Sequence, residues 1–280
     1  MKIVQAAGQT CNQFWIYSHY FAEAMVSKER ILILAPDISL KDYPNLRKQS
    51  FLGFPFYNES FLKVISYKRY INVLNVLFAN KVSVLCLTWL FKPIPKISFT
   101  AGAMQAFTSK NRTSHKPALK SIFKPKNAII RSVDSFMAEK RFLFDVIVGV
   151  HIRRGDYKTW QYGKFYYSDE QYLRIMDKME ALFTNKKVGF LICSNEFLDL
   201  KRFGAHRAFS LTNGSAAHDL YGLGVCDYIL GPPSSFSAWA SFYGNVPFYF
   251  IEDTSKALSL SLFSKEEYNW PPYKPIKLEN

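Results

Sequence analysis

The chain has 280 residues, 49% of them hydrophobic and 17% aromatic, and a formal net charge of +14. That length allows one large or two modest domains, and that apolar content excludes an intrinsically disordered chain. Four scattered cysteines (Cys11, Cys86, Cys193 and Cys226), with no CxxC pair or Cys/His cluster, indicate neither a disulfide framework nor a zinc site. Three of them sit in apolar or aromatic surroundings, where reduced core thiols are the default, and a reducing cytosol fits. The charge is uneven: residues 1–140 carry +13 and residues 141–280 only +1. Such asymmetry turns the first half toward an anionic partner (a phospholipid surface, an acidic glycan or lipid-linked acceptor, or nucleic acid), or else makes a generally basic surface.

Lys2 to Ala6 is short and apolar and reads as a strand, leading straight into a Gly8-Gln9-Thr10 turn without the pattern of a signal peptide. Asn12 is placed to cap a helix running to about Ser27, and Ile31 to Ala35 reads as a second buried strand. This βαβ opening lacks G-x-G-x-x-G, so a dinucleotide fingerprint is not supported. From residue 36 to about 130 lysines, aromatics and turns dominate and the periodicity is poor. The most membrane-like stretch, Tyr70 to Phe91, is interrupted by Asn72, Asn75, Asn80 and Lys81, whereas a spanning helix wants about 20 mostly apolar residues. It reads as a helix followed by a strand over Val82–Phe91, which a Pro/Lys loop at Lys92–Lys96 ends. Lys110 to Lys126 is polar, basic and punctuated by proline, which predicts a loop or linker. The sequons at Asn58, Asn111 and Asn213 bear only on a secreted protein.

The second half is more regular. Val146-Ile147-Val148 reads as a buried parallel strand. Ser168-x-x-Gln171 resembles a capping box, and Tyr172, Ile175, Met176, Met179, Leu182 and Phe183 follow at helical spacing. Val188–Cys193 predicts a strand, Asn195 the cap of a further helix, His218–Val225 a helix and Tyr228–Gly231 a strand. Ser234–Tyr243 again predicts a helix and Val246–Ile251 a last strand. Strands alternating with helices imply a doubly wound parallel sheet. The aromatic, proline-rich tail from Trp270 reads as surface packing.

Two constellations carry the chemistry. The strand at Val146 runs into Gly149-Val150-His151-Ile152-Arg153-Arg154-Gly155-Asp156-Tyr157, carrying a His, two Arg and an Asp toward the crevice where open α/β sheets bind ligands. Adjacent guanidinium forks suit phosphate and especially diphosphate, whereas the bland reading is a solvated strand end with surface ion pairs. The second is Gly231-Pro232-Pro233-Ser234-Ser235-Phe236-Ser237, a strand-to-helix turn whose free N–H groups and hydroxyls make an anion site or an ordinary N-cap. Asp219 lies 16 residues before Ser235. Phosphate would repel its carboxylate, so it either meets another part of the ligand, for which a guanine edge is suitable, or is a helix cap or surface acid.

His151-x-Arg153-Arg154-x-Asp156 is similar to the H-x-R-R-x-D signature of α-1,2- and α-1,6-fucosyltransferases, and residues 149–157 look most like the bacterial α-1,2 enzymes. The run from Asp219 through Cys226-Asp227-Tyr228 to Ser234-Ser235-Phe236 resembles the donor-site motif of these families. Gly8-x-x-x-Asn12-Gln13-Phe14 resembles their glycine-rich opening, although Gln9-Thr10-Cys11 stands where more glycine is usual. The resemblance implies an α/β fold of the GT-B class, with two Rossmann-like domains facing a cleft. Residues 1–140 would form the acceptor side, 141–255 the GDP-sugar-binding domain, and 256–280 a tail packed on the surface.

It also implies an inverting transfer of fucose from GDP-fucose to a glycan hydroxyl, in α-1,2 linkage, with no cofactor and no metal, which suits the lack of a D-x-D triplet. By position, Arg153 and Arg154 would neutralise the diphosphate, and His151 and Asp219 would hold guanine. Ser234, Ser235 and Phe236 would secure the nucleotide, while Gly8, Asn12 and Gln13 would line the cleft. Asp156 is the nearest signature carboxylate and either acts as base or orients the arginines, with Asp169 and Glu170 as further base candidates. Expected partners are the GDP-sugar donor, a glycan or lipid-linked oligosaccharide acceptor and an anionic membrane surface, but not nucleic acid. The expected location is the cytoplasm, with peripheral contact at the inner face of the membrane. The alternatives are a glycosyltransferase for another GDP-sugar and, in a different class, a basic nucleic-acid-binding protein.

Overall fold

The computed structural model describes residues 2–6, 9–28, 31–34, 41–47, 82–83, 86, 89, 98–102, 110–204, 207–211 and 214–265. The chain divides into two units between Lys124 and Pro125. The sequence-based division at 140 and 141 falls later, at the end of a helix, Asn127–Arg141, that belongs to the second unit. The tail from Trp270 lies outside the described residues.

In the first unit a parallel sheet of β1 (Lys2–Ala6), β2 (Ile31–Leu34) and β3 (Ser98–Gly102) has the order β2-β1-β3. The helix α1 (Thr10–Ser27) follows β1. It begins before Asn12: Gln9 holds the N-cap position in extended backbone without a side-chain cap, and Gln13 N already bonds Gln9 O at 3.1 Å. Helix α1 is apolar almost all round, burying Phe14, Trp15, Tyr17 and Phe21 completely, which demands packing partners on several sides.

Part of that cover comes from the segment expected to be a loop, which instead forms α3 (Lys110–Ser114) and α4 (Lys116–Ile122), after the short helix α2 (Pro44–Arg47). Pro117 stands in the first turn of α4, where its missing N–H costs nothing. Leu119, Ile122 and Phe123 are buried, and the buried Arg112 lays its guanidinium 4.7 Å from the centre of the Trp15 ring. Asn45 donates to the Ser121 carbonyl at 2.9 Å. Basic composition concealed these helices because the buried residues are few and an arginine is among them. The expected strand over Val82–Phe91 is also corrected: Val82, Ser83, Cys86 and Trp89 are helical, with Val82 and Trp89 exposed.

The second unit is a five-stranded parallel sheet in the order β6-β5-β4-β7-β8. Its strands are β4 (Val146–Ile152), β5 (Val188–Ser194), β6 (Ala208–Phe209), β7 (Tyr228–Gly231) and β8 (Phe248–Phe250). All seven residues of β4 are buried, which explains why its residues are apolar but for His151. The chain builds outward from β4 to one edge through β5 and β6, then returns to lay β7 and β8 on the other side. The switch point of this doubly wound sheet therefore lies between β4 and β7.

Four helices flank the sheet: α5 (Asn127–Arg141), α6 (Asp169–Glu180), α7 (Ala216–Leu223) and α8 (Ser235–Gly244). The capping box is present, with Gln171 N donating to Ser168 Oγ at 3.3 Å and Ser168 N to Gln171 Oε1 at 2.8 Å. Helix α6 buries Tyr172, Ile175, Met176 and Met179 in the core. Its Lys178 gathers three successive carbonyls beyond β8, those of Thr254 (2.8 Å), Ser255 (2.9 Å) and Lys256 (2.8 Å). The helix expected after Asn195 is only a 3₁₀ turn, Leu200–Phe203, capped by Asp199 accepting from Lys201 N at 3.1 Å.

Cys11, Cys193 and Cys226 are buried free thiols and Cys86 is exposed. No helix among the described residues is long and apolar enough to cross a membrane.

Candidate active site

The end of β4 places its polar residues at the switch point. His151 is almost fully buried, and its Nδ1 lies 2.7 Å from Ser237 Oγ in the first turn of α8. Its ring lies 5.1 Å from that of Phe236. Burial, and then the nearby Arg153 charge, push its pKa down to about 3, so the imidazole is neutral at physiological pH. This close approach of β4, β7 and α8 requires a glycine at 231. A Cβ there would lie 3.0 Å from both the Cβ and the carbonyl oxygen of His151.

Arg153 donates to Asp156 at 3.0 Å and its guanidinium carbon lies 5.7 Å from the centre of the Tyr157 ring. Tyr157 in turn donates to the Pro233 carbonyl, joining the arginine loop to the turn before α8. Burial raises its pKa, so the hydroxyl keeps its proton. Ser234 caps α8 by accepting from Phe236 N at 3.2 Å. The structure thus brings His151, Arg153, Asp156, Ser234, Ser235 and Phe236 to one end of the sheet, beside a helix N-terminus suited to anions.

Arg154 has other partners. It is paired with Asp169 and donates from Nε to the Tyr167 carbonyl at 3.3 Å. Asp169 also binds Arg202 at 2.8 Å, so this buried carboxylate is flanked by two guanidinium groups. The Arg154 main chain is clasped by Asn195, which accepts from its N–H (2.9 Å) and donates to its carbonyl (3.2 Å). Gly155 N then donates to Glu196 Oε1 at 3.1 Å from a left-handed backbone, φ +64°, that favours glycine.

Glu196 lines a cavity of about 720 Å³ on the β5 and β6 side, walled by Ile192, Ser194, Leu211 and Asp219 among others. In the parallel register His151 pairs with Cys193, whose Sγ lies 3.9 Å from the Asp219 carbonyl oxygen. His151 and Asp219 therefore share one face of the sheet, one strand apart. Burial raises the Asp219 pKa to about 6, against a lowering contribution from Cys193. Asp219 is in the first turn of α7, whose cap is Ser215 in a box closed by His218.

Asp169 and Glu170 are poorly placed as bases. The first is held by two arginines, and the second is a solvent-exposed carboxyl whose pKa is lowered chiefly by Ser168. In the first unit Gln13 is buried and accepts from Tyr17 Oη at 2.7 Å, and Asn12 lies in the first turn of α1. Gly8 lies outside the described residues. Sequence reasoning missed Tyr157, Ser237 and Asn195 as site-building residues. Tyr157 and Ser237 stood inside the quoted motifs, whereas nothing marked the Asn195 clasp.

The model of a family described as Glycosyl transferase family 11 matches residues 126–269. No curated protein sequence matches the chain. Among solved structures it is similar to the fucosyltransferase NodZ from Bradyrhizobium, at 17% identity over 89% of this chain and 95% of that one, with a TM-score of 0.51. POFUT1 in complex with GDP-fucose is 13% identical over 86% and 93% of the two chains, TM-score 0.54. A mutant of Arabidopsis thaliana FUT1 in complex with GDP is 12% identical over 90% and 71%, TM-score 0.53.

Proposed function

The chain belongs to glycosyl transferase family 11, and from that premise we propose that it transfers fucose from GDP-fucose to a glycan hydroxyl, in α-1,2 linkage and with inversion. Its fold is α/β and of the GT-B class. The observation that carries the reading is Arg153 at the β4/β7 switch point, lying against the ring of Tyr157, whose hydroxyl bonds the Pro233 carbonyl just before α8. NodZ soaked with GDP-fucose and POFUT1 in complex with GDP-fucose, both similar in fold, support the choice of donor.

In the proposed reaction the acceptor hydroxyl oxygen attacks the anomeric carbon in line while the bond to the GDP oxygen breaks, and the hydroxyl proton passes to solvent. Charge develops on the departing diphosphate, and the fixed guanidinium of Arg153 with the Ser234–Phe236 helix start meets it. This donor set supplies the positive charge that a metal would otherwise bring, which supports metal independence. Asp156 accepts from Arg153 and orients it, the second of its two expected roles. Arg154 positions the loop through Asp169 while adding to the positive field. Asp219 takes the N1–H and amino group of guanine, and the neutral His151 fixes Phe236 and Ser237 behind the diphosphate. The basic first half faces an anionic acceptor or membrane surface in the cytoplasm.

Titration calorimetry with GDP, GDP-fucose, GDP-mannose and UDP, without divalent metal, tests this. Guanine-selective binding is expected, followed by fucose transfer in an acceptor screen; absence of GDP binding would overturn the proposal. Turnover with GDP-mannose but not GDP-fucose would favour another GDP-sugar, because the phosphate and guanine contacts are common to both.

A further inference from the structure

Phe197 has 97% of its surface exposed, and it lines the 720 Å³ cavity that Asp219 also walls. Its neighbours are fastened. Glu196 accepts from Gly155 N, and its own N–H donates to Ser194 Oγ at 3.1 Å. On the other side Leu198 packs against the core and Asp199 caps the following turn. The ring is therefore carried at the apex of a short loop pinned at both ends, and little ordering is needed to bring it onto a ligand. The cavity offers apolar walls from Ile192 and Leu211, hydroxyls at Ser194 and Ser210, and three carboxylates, of which Glu196 and Asp199 are exposed and already accept from Gly155 N and Lys201 N, whereas Asp219 is half-buried. A flat heterocycle with N–H donors along one edge fits that chemistry, its edge on Asp219 and its faces against apolar groups.

We propose that Phe197 is the stacking lid of the nucleobase subsite, covering the open face of the purine once its edge is bound by Asp219. The proposal rests on the GDP-sugar reading and adds to it a residue that determines base affinity. Aromatic–base stacking is tolerant of the base's edge, so in this division of labour Asp219 discriminates and Phe197 holds.

The test uses the full-length chain and three variants, Phe197→Ala, Phe197→Leu and Phe197→Trp. With GDP, Phe197→Ala raises Kd about tenfold, a size expected for the loss of one stacked base. The KM for GDP-fucose rises alongside, while kcat at saturating donor is retained. Phe197→Leu resembles the alanine variant, and Phe197→Trp restores affinity and changes its emission on adding GDP. Affinity for inorganic pyrophosphate, which has no base, is the same in wild type and Phe197→Ala. Unchanged GDP affinity in Phe197→Ala overturns the lid alone, as does an equal loss toward pyrophosphate. A wild-type chain that binds no GDP overturns the GDP-sugar reading and the lid with it.

Discussion

The two flanks of β4 are built differently. On the β7 side His151, Ser237, Phe236, Gly231 and Tyr157 interlock, with a neutral buried imidazole and a glycine whose replacement would collide with backbone. On the β5 side lies a cavity of about 720 Å³ with a half-buried carboxylate and an exposed aromatic ring at its edge. In the proposed enzyme the first flank meets the diphosphate, which is common to every nucleotide sugar, and the second meets the base, which is not. A group that develops charge in the transition state is best served by donors that need no rearrangement. A base that must be admitted and released suits a more open wall.

That contrast can be broken most severely at the arginines. Arg153→Lys should lower kcat by at least about 100-fold, because an ammonium cannot reproduce the guanidinium fork, with the melting temperature unchanged. Arg154→Lys should lower the melting temperature as well, since Asp169 loses one of its two guanidinium partners and the Tyr167 carbonyl loses its donor. The opposite pattern, measured by steady-state kinetics and thermal melts, would exchange the two roles. On the same flank Gly231→Ala should destabilise the protein by about 1–3 kcal/mol through overpacking. A denaturant midpoint equal to wild type would mean that the turn yields without cost.

On the cavity flank Asp219→Asn should weaken GDP binding roughly tenfold, the order of one charge-assisted hydrogen bond. Calorimetry showing equal affinity would remove Asp219 from the base site. The smallest effect is in pH. Only the ionised carboxylate accepts from guanine, so wild-type GDP affinity should rise severalfold as pH increases through about 6, the Asp219 pKa in the free protein, and level off above it. The asparagine variant should lack this rise.

Much of the second unit was legible in the sequence. The apolar run that opens β4, the Ser168/Gln171 box and the proline turn before α8 each act through local rules of strand burial, capping and turn geometry. The first unit was less so, because its helices near residues 110–122 are held by long-range contacts. Arg112 is buried by stacking on Trp15, nearly a hundred residues away, and no local pattern reports that. At the site, adjacency of Arg153 and Arg154 suggested a shared ligand, but partners at Asp156 and Asp169 separate them. The Asn195 clasp was read as a helix cap, since capping and main-chain bracing draw on the same amide.

The ammonium of Lys178, with its three carbonyls from Thr254 to Lys256, reaches further than its place on α6 suggests. The Tyr167 hydroxyl adds a fourth tie, to the Ile251 carbonyl at 2.7 Å, just before the helix that begins with Asp169. In the language of hydrogen exchange, these ties should make residues 251–256 and the helix 169–180 open together as one cooperative unit. A proteolytic cut within that short segment would be felt as a loosening of the anchor on Arg154, so the integrity of the anion site is written partly into a stretch of chain that contributes no side chain to it.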